Sequence, residues 1–413
     1  MSPRAIRLSV RDPDLQRSRL TVAFRLLLAI PHFFWAAGWF SIATLVAIAS
    51  WIATLISGTP PKMFHDFLSA YVRYITHLVA YMTMAADPYP TFTGRPGYPV
   101  DVEIDPPRRQ NRWITGFRLI LALPAIVLAE VLLGGGTTEL GGSNVSSGGV
   151  TGTVAFLAWF ACVFTGRMPQ GMRDLSAYAI GYSAQVFGYL FLLTDRYPNS
   201  DPAVYESANV YRSDPIRLTV GDDLRRSRLT VLFRFPLAVP HFVWLLLWAV
   251  PALFAWIASW FATVIAGRSP AALHRFLAAY LRYQIHVYAF AGLVGNPFPG
   301  FVGQPGSYPI DLEIDGRERQ NRRITGFRGI LAVPVFMIMG VLAAAAFVAA
   351  FLAWWYAMFR GRMPRGLRNL GAFYLRYYGQ GAGYWYLLTD RYPYSGPQAG
   401  WQLTLTPAAP QPA

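Results

Sequence analysis

The sequence predicts an all-α polytopic membrane protein with short β-strands, and three observations carry that prediction. Only 14% of the 413 residues are charged, against 54% hydrophobic, where a soluble chain carries about a quarter charged. Four apolar blocks, Leu26 to Ser57, Leu119 to Gly166, Phe235 to Gly267 and Gly329 to Phe359, contain no Lys or Arg. Uncharged runs well beyond about 18 residues read as membrane-spanning. The same order of segments also recurs four times along the chain, the signature of a repeat architecture.

Each quarter opens with an alternating strand-like stretch: AIRLSV, YPVDVEID, PIRLTV and YPIDLEID. A Phe-Arg pair follows, with a proline seven residues after the Phe, at Pro31, Pro124, Pro240 and Pro334. The apolar block then closes on GTPP, GRMP, GRSP or GRMP. From Phe to closing Gly the spacing is identical in Phe24–Gly58, Phe233–Gly267 and Phe327–Gly361, and 15 residues longer in Phe117–Gly166. The surplus is GGGTTELGGSNVSSGG, Gly134 to Gly149. Its polar backbone would go unpaired in hydrocarbon, so it is expected to be a turn in water between two helices. Pro251 and Gly340 mark the matching point of quarters three and four. The expectation is about eight transmembrane helices, built as four repeated helical hairpins.

Aromatic arms come next, such as MFHDFLSAYVRYITHLVAYM. A third crossing per quarter would put Arg108, Arg109, Arg112, Arg317, Arg319, Arg322 and Arg323 outside, whereas two crossings leave every Arg on one face. The arms are therefore expected to lie in the interface as amphipathic helices. Phe64, Phe67, Leu68, Tyr71, Ile75, Leu78 and Met82 would form the apolar stripe, opposite His65, Ser69, Arg73 and Thr76.

In the opening strands Ile6, Leu8 and Val10 alternate with Arg7, Ser9 and Arg11, and Val100, Val102 and Ile104 with Asp101, Glu103 and Asp105. Quarter three repeats the basic version at Arg217, and quarter four the acidic one at Asp311, Glu313 and Asp315. Opposite charges on facing strands favour odd-with-even pairing in a small cytoplasmic β-sheet. The chain is thus an odd/even pair, duplicated. Residues 1–205 hold units 1–95 and 96–205, residues 206–395 hold units 206–303 and 304–395, and 396–413 form a disordered tail.

Net charge is +15, and all but one of the 36 basic residues are Arg. Since they lie outside the apolar blocks, they read as cytoplasmic anchors and not as a nucleic-acid footprint. A single cysteine, Cys162, excludes an internal disulfide and a thiol-pair metal site. The polar, Arg-rich opening shows no cleavable signal. The expected location is a membrane, crossed several times, with both termini cytoplasmic.

The run SRLTVAFRLLLAIPHFFW, the Gly-Arg-x-Pro motif and YLLTDRYP resemble an uncharacterised actinobacterial multi-pass membrane family, domain of unknown function 4389. The resemblance covers nearly the whole chain in two tandem copies. It implies a membrane location and no activity.

All six histidines fall in odd quarters at matching places: His32, His65, His77, and His241, His274, His286. His65 and His77 stand 12 residues apart on one helix, about 18 Å along its axis, too far to share a metal. No metal or cofactor is expected. With Arg73 and Arg282, the histidines are candidates for a proton relay or polar site, because ionisable groups inside membrane helices are functional candidates by default. Packing histidines near the interface are the alternative reading. Arg25, Arg118, Arg234 and Arg328, at the helix starts, are candidates for binding anionic lipid or phosphate through guanidinium forks, with snorkelling as the alternative. Phosphate-loop, zinc-helix and nucleophile-elbow motifs are missing.

An enzyme is therefore not expected. The expected function is a non-enzymatic accessory or scaffold protein binding anionic lipid headgroups at the cytoplasmic leaflet, with a possible membrane-protein partner. The alternative is a transporter of a small solute or lipid, with its site at the repeat interface.

Overall fold

The computed structural model describes residues 4–11, 14–134, 148–202 and 214–397, and the backbone of 137–140 and 143–146. The expected tail lies outside them from residue 398 onward. The chain divides into two compact units, one reaching to Ser200 and the other running from Asp201 to Tyr394.

In the first unit the elements run β1 (Ile6–Val10), α1 (Arg19–Ser57), α2 (Lys62–Met82), β2 (Val100–Ile104), α3 (Arg112–Gly116), α4 (Arg118–Leu133), β3 (Thr137–Leu140), β4 (Ser143–Ser146), α5 (Gly149–Thr165) and α6 (Gln170–Leu190). The second unit has β5 (Ile216–Val220), α7 (Arg228–Leu232), α8 (Arg234–Ala266), α9 (Ala271–Ala291), β6 (Ile310–Ile314), α10 (Arg322–Gly326), α11 (Arg328–Leu331), α12 (Val333–Arg360) and α13 (Arg365–Trp385).

The apolar blocks form rods, which corrects the expectation of four mid-block hairpins. α1 runs 39 residues without a break, about 58 Å at 1.5 Å per residue. Pro251 lies inside α8, and Gly340 inside α12. The physical reason is that the hydroxyl residues within the run, such as Ser41, Thr44 and Thr54 of α1, donate to carbonyls four residues back and leave the helix intact. Among apolar neighbours an intact helix satisfies every backbone group internally, and one proline removes a single donor. Three rods, Arg19–Ser57, Arg234–Ala266 and Arg328–Arg360, are long and apolar enough to cross a membrane. The closing glycines of all four blocks are left-handed caps: Gly58, Gly166, Gly267 and Gly361 have φ of 79°, 70°, 70° and 66°, and each N–H returns to a carbonyl four residues back.

The Gly134–Gly149 surplus is an antiparallel β-hairpin, β3 with β4, growing out of a rod whose halves stay end to end. Thr151 Oγ1 donates to the Leu133 carbonyl across the break. Both outer ends also make the contacts of the unbroken rod in quarter four. Trp159 donates to the Val22 carbonyl as Trp354 does to that of Val231. Arg118 reaches the Tyr189 carbonyl as Arg328 reaches that of Tyr384.

The arms fold back antiparallel on the rods, so that Arg25, His32 and Trp39 of α1 meet Tyr81, Tyr74 and Phe67 of α2. They are interior helices covered on both faces, and not amphipathic helices with a polar face left to water. In α2 the polar His65, Ser69, Thr76 and His77 are as buried as Leu68 and Tyr71, and α6 is buried along nearly all its length. A stripe pattern failed here because both faces are covered, one by apolar rods and the other by strands offering polar partners.

Those strands pair odd with even. β1 lies antiparallel to β2 with Arg7 opposite Glu103, and β5 to β6 with Arg217 opposite Glu313. Ion pairs Arg7–Asp105 at 3.2 Å and Arg217–Asp315 at 2.8 Å flank the matched positions. Instead of one sheet there are two separate two-stranded ribbons. Each lies on its unit's arms: Ile6 fills the notch at Gly188, and Ile216 the one at Gly383.

Candidate functional site

The four Phe-Arg arginines are buried, 1–3% exposed, and each plugs the C-terminal end of its arm. Arg25 donates to the carbonyls of Tyr81 (2.6 Å) and Ala86 (3.2 Å) and pairs with Asp87 at 2.7 Å. Arg118 reaches Tyr189 and Thr194, and its second nitrogen Gln110 Oε1 at 2.6 Å. Arg234 reaches Phe290 and Gly295, and Asn296 Oδ1 at 3.4 Å. Arg328 reaches Tyr384 and Thr389, and Gln320 Oε1 at 2.9 Å. Each guanidinium also lies 4.4–4.6 Å over the ring of Tyr81, Tyr189, Phe290 or Tyr384. A helix C-terminus carries unpaired carbonyls and partial negative charge, and the cation answers both. Backbone carbonyls take up one nitrogen of each guanidinium, so anchoring the arm end is the role the geometry displays.

His32 and His241 are wholly buried on the inner side of their rods. His32 Nδ1 lies 2.9 Å from Tyr74 Oη, and the Tyr74 hydroxyl is 3.2 Å from the His32 carbonyl. Its ring stacks on Phe92 at 4.1 Å. His241 repeats this with Tyr283 (2.8 Å) and Phe301 (4.5 Å).

The most polar constellation joins arm to ribbon. His77 Nε2 lies 2.9 Å from Asp101 Oδ1, which also accepts from Val102 N, while Oδ2 accepts from Gly97 N. Arg73 Nε donates to the Val102 carbonyl and stands 3.5 Å from Asp101. Tyr98 stacks on the imidazole at 4.6 Å. The second unit repeats it with His286 2.8 Å from Asp311, Arg282 donating to Leu312, and Tyr308 over the ring. Burial alone would raise the Asp101 carboxyl pKa. The hydrogen bonds from His77 and from the Gly97 and Val102 amides outweigh burial and hold it below its ordinary value, and Asp311 behaves alike. Chemically this is a closed cluster that ties each ribbon to its arm.

His65 and His274 sit near the arm starts. His65 Nδ1 lies 3.5 Å from Ser69 Oγ and 3.8 Å from Asp66. The three histidines of an odd quarter thus have separate partners and do not converge. Among the described residues no group of three His, Cys, Asp or Glu side chains could hold a metal ion. Sequence reasoning missed the roles of Asp101 and Asp311, which it had read only as charges for cross-strand pairing. Their signal was present: each even-quarter Asp stands 24 or 25 residues after an odd-quarter His. Gln110 and Gln320 were also missed, as was the pairing of Asp87 with Arg25.

Long apolar rods, a polar-cored helix pair and a β-ribbon define a repeat protein of membrane-associated type. The chain belongs to the family described as a domain of unknown function, DUF4389, which matches residues 19–94, 146–200, 228–302 and 322–395. The family model thus matches once in each quarter, four times along the chain. No curated protein and no solved structure matches the chain.

Proposed function

We propose that the protein is a non-enzymatic accessory protein of the bacterial plasma membrane. It inserts its rods from the cytoplasmic face and binds anionic lipid headgroups at their ends, in position to scaffold a membrane-protein partner. The observation that carries this reading is the basic charge at both ends of every rod. Arg19 and Lys62 flank α1, Arg112 and Arg167 the α4–α5 rod, Arg228 and Arg268 α8, and Arg322 and Arg362 the last rod, all exposed. Between them run exposed apolar side chains, from Leu20 to Ile56 in α1 and from Phe235 to Ile265 in α8. A rod crossing the bilayer would put one basic end on each side, against the usual asymmetry.

The ribbons argue the same way. Arg7, Glu103, Arg217 and Glu313 form ion pairs with side chains about half exposed, on strands lying along the inner helices. Rods standing upright would carry those charges into hydrocarbon, at several kcal/mol each. Rods inserted from one side keep ribbons, both rod ends and both termini in the cytoplasm. The eight-crossing arrangement gives way to this one. A transport path is disfavoured because the buried histidines are held by rings, hydroxyls and carboxylates of their own unit.

Labelling with a membrane-impermeant maleimide tests the reading. Arg19→Cys, Lys62→Cys and Glu103→Cys should each react in inside-out vesicles and be protected in right-side-out ones. Arg19→Cys and Lys62→Cys reacting from opposite faces sinks it. Headgroup binding predicts flotation with phosphatidylglycerol vesicles that weakens in the Arg19→Gln, Arg109→Gln, Arg167→Gln triple variant.

A further inference from the structure

The second unit holds a cavity of about 600 Å³ between α8 and α12, within the roughly 300–1,000 Å³ usual for ligand pockets. Phe235 and Phe242 line one side, and Phe347, Phe351 and Trp354 the other. Ala346 and Ala350 leave the gap, and the last turn of α9 forms its floor. Phe235, Phe347 and Phe351 are more than half exposed, so the opening faces the apolar outer side of the rods. Water gains little from such walls, whereas a hydrocarbon chain fills them favourably.

One cation lines this cavity, Arg234, 2% exposed. It differs from its three sisters in one respect. Their second guanidinium nitrogens are engaged at 2.6–2.9 Å by Asp87, Gln110 and Gln320. That of Arg234 reaches Asn296 at 3.4 Å, long for a charge-assisted bond of about 2.7–2.9 Å, while its buried Nε, like theirs, has no partner. The aspartate found in the other quarters as Asp87, Asp195 and Asp390 is Asn296 here.

We propose that this cavity holds the hydrocarbon chain of an anionic amphiphile whose carboxylate or phosphate lies against Arg234. Chain and charge are recognised together: the phenylalanine walls select hydrocarbon, and the guanidinium selects an anionic head over a neutral one. The inference rests on the rods facing lipid and not on headgroup binding at their ends.

The test uses full-length protein, stripped of lipid in detergent and offered brominated palmitate or brominated-acyl phosphatidylglycerol. Tryptophan quenching and native mass spectrometry read the outcome. Wild type should retain one of the two probes with saturable quenching. Asn296→Asp, which gives Arg234 a carboxylate of its own, should bind about tenfold more weakly, the effect of one charged contact. Ala350→Phe, which fills the gap, should lose binding, and should Ala350→Phe fail to fold, the near-isosteric Asn296→Asp decides alone. Retention of palmitate alone identifies a free fatty acid, and retention of the phospholipid a membrane lipid. No saturable retention by wild type, or equal retention by wild type and Asn296→Asp, overturns the proposal. Flotation of Asn296→Asp on anionic vesicles should stay unchanged, which keeps this result separate from headgroup binding at the rod ends.

Discussion

Arg25 and Tyr81 meet twice: the guanidinium donates to the Tyr81 carbonyl at 2.6 Å and lies 4.4 Å above the Tyr81 ring. The partners are 56 residues apart in quarters one, three and four, and 71 apart in quarter two, the excess being the inserted hairpin. The contact fixes where each arm ends relative to the start of its rod. Losing it leaves two buried carbonyls and Asp87 without their cation. Arg25→Ala should destabilise the first unit by about 3–5 kcal/mol, as when one partner of a buried pair is removed. At about 2–4 °C per kcal/mol for a unit of this size, melting in nanodiscs should fall by roughly 6–20 °C. Arg25→Lys should recover only part, because a point charge cannot reach two carbonyls and a carboxylate in a fork.

The His77–Asp101 contact predicts a pH signature. The Asp101 pKa is depressed in the folded protein, so its stabilisation is complete above the unfolded value of about 3.9 and is lost as pH falls through the lower folded value. Asp101→Asn should therefore melt below wild type at pH 7, and the gap should close on acidification below about pH 4. A gap that stays constant from pH 7 to pH 3 would show that the carboxylate charge is irrelevant.

Gly94 and Gly303 dock their loops onto the arms. A Cβ on Gly94 would stand 2.2 Å from the Ala70 carbonyl oxygen, and one on Gly303 2.0 Å from that of Ala279. Backbone cannot step aside as a side chain can, so Gly94→Ala and Gly303→Ala should each cost about 1–3 kcal/mol in chemical denaturation. Gly152→Ala, with open space around its Cβ, is the control and should change little.

Excising Gly134–Gly148 should leave the first unit folded, because quarter four builds the same rod unbroken as α11 and α12. Circular dichroism and melting of the deletion variant should match wild type within a few degrees. Loss of the Trp159–Val22 contact, read as a shift in tryptophan emission, would show that the hairpin sets the rod's length.

The sequence reported some of this architecture well. Arg7 against Glu103 and Arg217 against Glu313 were legible because strand alternation and charge complementarity are local signals that a neighbouring strand must satisfy. Rod continuity was not legible. Pro251 and Gly340 carry the usual marks of a break, and only apolar surroundings, which favour internal hydrogen bonding, keep the helix intact. The arms misled for a related reason, since amphipathic spacing says that one face is apolar and not that the polar face meets water. Thr76 instead donates to the Val72 carbonyl of its own helix, and His77 meets Asp101. The role of Asp101 was not legible because a ribbon residue read as a cross-strand charge can still turn its carboxylate back into its own loop.

The odd-with-even ribbon carries a consequence for how small this protein could be. Each quarter contributes one strand to a ribbon, and the partner strand belongs to the other quarter of its pair. A chain of a single quarter would expose an unpaired strand edge and leave a polar arm half covered. Such a chain would hold its shape only by trading strands with a second copy of itself. The smallest self-sufficient gene for this architecture is therefore a duplicated one, and the present chain is two such genes in series.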